Sequence, residues 1–134
     1  MGLSQPGAAA EAGPFDDALL AARLLACDPT GLGGIRLRAP AGVAGPQVLD
    51  ELRARLPAGT PVRTLPSNID DERLLGGIDI AASLTAGRKI RRAGLLAEAA
   101  GGLIVVPSAE RMSAATAGRI VAALEFAPAA LLLL

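Results

Sequence analysis

Histidine is missing from this 134-residue sequence, and with it the commonest general base and the commonest zinc ligand. Tyr and Trp are also absent, and two Phe are the only aromatics, so no platform exists on which single-stranded nucleic acid could stack. The single cysteine, Cys27, excludes an internal disulfide and suits a reducing compartment. It reads as a small buried helix residue rather than a reactive thiol. Neither sign of charge is in excess: 13 Lys and Arg face 13 Asp and Glu, so no net field draws the chain to nucleic acid or an anionic membrane. The C-terminal "AALLLL" is far below the ~20 apolar residues that span a bilayer. The opening "MGLSQPGAAAEAGPF" lacks the basic region and apolar stretch of a secretory signal. A cytoplasmic location is the expectation. Any chemistry must use carboxylates, basic groups, hydroxyls or backbone.

What is present is an Ala-, Leu-, Val- and Ile-rich chain, 51% hydrophobic, long enough for one core. Residues 1–15 read as a flexible leader. Asp16 or Asp17 can cap the helix "DALLAARLLAC", whose Leu20, Leu24 and Cys27 share a face at helical spacing. "IRLRA" alternates as a strand does. The helix "QVLDELRARL" then places Val48, Leu49, Leu52 and Leu56 on one stripe, with Pro46 suited to its first position. "VRTL" is a second strand. The stretch from Pro66 to Gly94 has the character of a hairpin with short helices, punctuated by Gly76-Gly77 and Gly87. "LLAEAA" is a short helix, and "LIVV" a strand buried on both faces. Ser113 caps "AATAGRIVAALE", with Ala117, Ile120, Val121 and Leu124 on the buried face. Strands separated by helices predict an α/β fold with a largely parallel sheet, flanking helices and a hairpin insert.

The loop "RAPAGVAGPQ" lies where a phosphate-binding loop belongs, between a strand and a helix. Laying G-x-x-x-x-G-K-[ST] over it puts Ala39 and Ala44 at the glycines, Gly45 at the lysine and Pro46 at the hydroxyl. Pro46 also removes a backbone donor from the helix start that should face the phosphates. Gly42 and Gly45 keep the bend, without the chemistry. A second nucleotide element, a buried strand ending in Asp-Glu, is replaced by "LIVV" running into Pro107-Ser108, a degenerate Walker B that offers no carboxylate. Glu110 reads as a surface loop residue. Asp70, Asp71, Glu72 and Asp79 supply oxygen ligands at a spacing that fits no metal loop, so no metal site is assigned. Arg88, Lys89, Arg91 and Arg92 form the one dense basic cluster, either a solvated hairpin edge or a partner contact.

Three segments carry a resemblance: "LLACDPTGLGGIRLRAPAG", "LPSNIDDERLLGGIDIAASLTAGRK" and "GLLAEAAGGLIVVPSAERMSAATAGRIVAALE". From about Asp16 to Glu125 the chain resembles the N-terminal part of magnesium-chelatase D subunits. The resemblance implies a partial P-loop NTPase core of the AAA+ type, a pseudo-ATPase with no catalytic residues of its own. It implies docking on the ATP-hydrolysing I subunit, with the porphyrin-binding H subunit an indirect partner. ATP and Mg²⁺ would then act at the level of the complex, with no cofactor bound directly by this chain. Arg73 joins the basic cluster as an expected contributor to docking. The tail "FAPAALLLL", residues 126–134, no longer resembles the family, so the chain reads as a truncated fragment with a partial sheet. The rival readings are an active nucleotide-dependent enzyme using an unconventional loop, a regulatory module of another AAA+ ATPase, and an inert fragment.

Overall fold

Four apolar residues in a row, Leu103–Val106, send alternate side chains to opposite faces of a sheet, so all four are buried only if both faces are covered. The computed structural model, which describes residues 13–40, 42 and 44–134, covers both. Among the described residues the strands are β1 (Gly34–Arg36), β2 (Val62–Thr64), β3 (Gly76–Ile78), β4 (Arg91–Ala93), β5 (Leu103–Val106) and β6 (Ala130–Leu133). The helices are α1 (Pro14–Cys27), α2 (Pro29–Leu32), α3 (Ala44–Arg55), α4 (Asp71–Leu75), α5 (Ile80–Ala86), α6 (Leu95–Glu98) and α7 (Ala114–Phe126). The main sheet is parallel throughout, in the order β1-β6-β5-β2, while β3 and β4 form a separate antiparallel pair.

The two faces of that sheet make two cores. Leu103, Val105, Ala130 and Leu132 pack under Ala22, Leu25 and Ala26 of α1 and Val48 and Leu52 of α3. Ile104 and Val106, with the partly buried Leu131 and Leu133, pack against Leu74 of α4, Leu96 of α6 and Ile120 of α7. The expected α/β fold with its mostly parallel sheet and hairpin insert is what the chain adopts.

The tail is the main departure. The sequence reading gave residues 126–134 no element, yet Ala130–Leu133 is an inner strand of the sheet, bonded to β1 on one side and β5 on the other. Pro128 and the short, uniformly apolar "AALLLL" hide it, because an alternation with polar residues is absent when both faces are covered.

Smaller corrections concern caps and faces. Residues 1–12 of the expected leader lie outside the described residues; Pro14 and Phe15 already belong to α1. Gly13 rather than an aspartate is the N-cap, and Asp16 accepts a hydrogen bond from the Gly13 N–H at 2.9 Å. Leu20, Leu24 and Cys27 are exposed, and the buried face is Ala22, Leu25 and Ala26. With leucine on both sides of α1, spacing alone does not choose between stripes; the small alanines let α1 approach α3. On α7, Val121 is exposed and Thr116 and Ile120 are buried. Pro46 is the third residue of α3, not the first, where its missing N–H is equally harmless.

Glu51 of α3 accepts hydrogen bonds from Arg23 of α1 and Arg55 of its own helix. These two guanidinia, Arg23 foremost, hold its carboxyl below the usual glutamate value. A lowered folded pKa contributes stability that is present above the unfolded value and lost as pH falls through the folded one. Glu51→Gln is therefore expected to lower Tm at pH 7, with the difference from wild type fading as pH falls through the lowered folded value, as thermal melts across pH will show.

Candidate functional site

In open parallel sheets, ligands bind beyond the carboxyl ends of the strands. Here β1, β5 and β6 end side by side, and the segments that leave them face one another. A hollow of about 450 Å³ is lined by Leu37, Ala39, Pro40, Gly42, Gly45 and Pro46 from the β1–α3 loop and by Pro107, Ser108, Glu110 and Arg111 after β5. Leu134, beyond β6, completes its wall. A neighbouring hollow of about 510 Å³ adds Arg36 and Arg38. The β1–α3 loop and the Pro107-Ser108 turn, far apart in sequence, are thus brought to one place; Ala44, the first residue of α3, sits beside Gly45 at its rim. Ala41 and Val43 of the loop lie outside the described residues.

The chemistry available there is sparse. Pro40, Pro46 and Pro107 each lack the N–H that would cradle an anion. Ser108 takes a left-handed conformation, φ 51° and ψ 49°, and turns the chain back across the end of the sheet. The Ala109 N–H then donates to the Leu134 carbonyl at 3.1 Å, and the Leu134 N–H donates to Val106 at 3.0 Å. The Leu134 side chain stands over Gly45, so that a Cβ placed on Gly45 would lie 3.7 Å from its methyls. An aliphatic group therefore covers the first turn of α3, where a working loop holds phosphate. Glu110 is exposed on a short 3₁₀ turn, as expected, although its position on the wall of the hollow was not foreseen. Leu134, Arg36, Arg38 and Arg111 also went unnoticed in the sequence, because only the placement of β6 shows which segments meet.

The acidic run is taken up by structure. Asp70 caps α4, accepting from Arg73 N–H at 2.8 Å, and Asp71 pairs with Arg119 of α7 at 3.1 Å. Asp79 caps α5 through the Ala82 N–H at 3.0 Å and pairs with Arg92 at 3.1 Å. The Ala82 N–H first, then Arg92, holds the Asp79 carboxyl below its usual value. Of the basic residues, Arg92 is thus engaged locally. Arg73, Arg88, Lys89 and Arg91 are exposed and, among the described residues, make no ion pair. The structure sets Arg73 on α4 and the other four on the hairpin.

The 60 kDa magnesium-chelatase subunit of Cereibacter sphaeroides is 40% identical to this chain over 113 residues, and that of Rhodobacter capsulatus 37% over 111. The 67 kDa subunit of Chlorobaculum parvum is 33% identical over 110 residues. This chain is a relative of the magnesium-chelatase 60 and 67 kDa subunits. The matches take in 82 to 84% of it but only 18 to 19% of those proteins, so it spans about a fifth of the length of its curated relatives. No family model matches the chain. Its fold also matches a chain in a model of the complex between subunits BchI and BchD of magnesium chelatase, based on a 7.5 Å cryo-EM reconstruction. There the TM-score is 0.60 at 21% identity, over 81% of this chain and 43% of that one. At that identity the magnesium-chelatase likeness is one of fold. Among the described residues, no helix is long and apolar enough to cross a membrane.

Proposed function

We propose that this chain is a non-hydrolysing, AAA+-like part of a magnesium-chelatase D subunit. In this reading it docks on the ATP-hydrolysing I subunit and supports ATP-dependent insertion of Mg²⁺ into protoporphyrin IX, carried by the H subunit, in (bacterio)chlorophyll biosynthesis. The observation that supports it is the convergence of the β1–α3 loop and the Pro107-Ser108 turn on one hollow whose lining holds three prolines, Leu134 and no lysine.

The chemistry sets the division of labour. Hydrolysis needs donors on the β- and γ-phosphates, a hydroxyl and carboxylate for Mg²⁺, and a base for water. The hollow keeps one hydroxyl, Ser108, one carboxylate, Glu110, and one arginine, Arg111, but no lysine, and prolines stand at three of its backbone positions, so in this reading turnover belongs to the partner and shape to this chain. Arg73, Arg88, Lys89, Arg91 and Arg92 supply the charge for docking.

The test is capture of the I subunit by this chain, with and without ATP. Capture is expected, and changing Arg88, Lys89 and Arg91 together to Glu is expected to weaken it several-fold, more so at low salt. ATP turnover by this chain alone, or equal capture by the reversed variant, would sink the reading.

A further inference from the structure

Ten large hydrophobic residues are markedly exposed among the described residues, and four of them, Leu75, Ile78, Ile80 and Leu84, fall within ten positions of one another. Scattered singly, such residues need no explanation; gathered together, they mark a contact surface. α5 is the centre of the group. It has no buried residue, and Ile80 and Leu84, 72% and 79% exposed, stand one turn apart on the same face. Its folding is accounted for by the Asp79 cap and by the Ser83 hydroxyl, which accepts from Ile90 N–H at 2.8 Å, so its aliphatic side chains contribute nothing to the core.

The connection from α5 to β4 is basic, while Asp79 at the start of α5 and Glu72 beside Gly77 are the nearby acids. In β3–β4 pairing, Ile78 lies opposite Arg91 and Gly77 opposite Arg92, which places Ile78 and Arg91 on one face of the ribbon. Arg92, on the other face, turns to Asp79. From Ile80 to Ala93 the sequence holds four cations and no acid, although the whole chain is neutral.

We infer that Ile80 and Leu84 are the apolar centre of a docking surface for an acid-rimmed apolar groove on the ATP-hydrolysing partner subunit, with Arg88, Lys89 and Arg91 as its rim. The inference rests on the docking reading above and adds to it the residues that hold the complex once charge has steered it together. Interfaces take most of their affinity from a few desolvated residues, while rim charges act mainly on the encounter rate. A membrane surface is the less suitable occupant, since α5 is only seven residues long and has no aromatic anchor.

The experiment measures I-subunit binding by the whole chain and by Ile80→Gln/Leu84→Gln, with Val121→Gln on α7 as the control. Glutamine keeps helix propensity, so the melting temperature of the double variant should match wild type. The expected result is dissociation about ten-fold or more faster for the double variant, and no change for the control. If wild type binds and the double variant binds equally well, this inference falls while the docking reading stands; if wild type does not bind, both fall. Loss confined to sedimentation with anionic vesicles, with subunit binding unchanged, would likewise overturn it in favour of a lipid surface.

Discussion

Removing residues 127–134 is expected to abolish cooperative unfolding altogether. β6 lies between β1 and β5, so its loss leaves two strands with unpaired edges and detaches β1 from the rest of the sheet. Leu132 is wholly buried under α1 and α3, and Leu131 and Leu133 line the opposite core. At ~1.5–3 kcal/mol for a fully buried leucine, the three together contribute roughly 3–8 kcal/mol, against about 5–15 kcal/mol for a whole domain. Circular dichroism and a urea titration would show it: a single sharp transition for the full chain and none for the shortened one. A shortened chain that still unfolded cooperatively would mean that β6 is an accessory to the sheet.

Gly94→Ala should be strongly damaging although it adds a single methyl. Gly94 is buried where β4 leaves the hairpin, and a methyl there would be driven into the Gly76 nitrogen and the Leu74 carbonyl. Those are main-chain atoms and cannot swing aside. Either β3 and β4 separate or α4 moves off Leu96, and overpacking of this kind costs about 1–3 kcal/mol or more. The expected result is a Tm lowered by several degrees together with weakened I-subunit binding, because the hairpin carries Ile80, Leu84 and the basic rim. Ala93→Gly, next door and exposed, should leave binding intact.

Much of the fold could be read before the structure was known, for reasons that differ by element. β5 announced itself by four apolar residues without interruption, and α3 by its stripe of Val48, Leu49, Leu52 and Leu56, of which Val48 and Leu52 are fully buried. Ser113 gave the start of α7, and its hydroxyl does accept from Thr116 N–H. Periodicity failed on α1, where leucines occupy both candidate faces and only the neighbouring α3 decides between them. It failed at β6 because a tail of alanine and leucine is compatible with almost any buried environment. That the loop from Ala39 to Pro46 and the Pro107-Ser108 turn lack phosphate-binding side chains was legible directly. That Leu134 would lie over Gly45 was not, since a contact between residues so far apart in sequence follows from strand order, which no local pattern encodes. The exposure of Ile80 and Leu84 was hidden for a related reason: an isoleucine and a leucine one turn apart look the same whether they face a core or a partner.

The stitch between Ala109, Leu134 and Val106 bears on how force passes through such a domain. In a nucleotide-driven motor, the segments leaving adjacent strands must be free to shift against each other as a phosphate comes and goes. Here they are fastened across the end of the sheet by main-chain bonds, and a leucine is wedged over the helix that would have to move. These contacts tie the ends of β5 and β6 to each other and to the start of α3. On the docking reading proposed above, the domain would serve as a fixed anvil against which a moving neighbour's strokes are delivered.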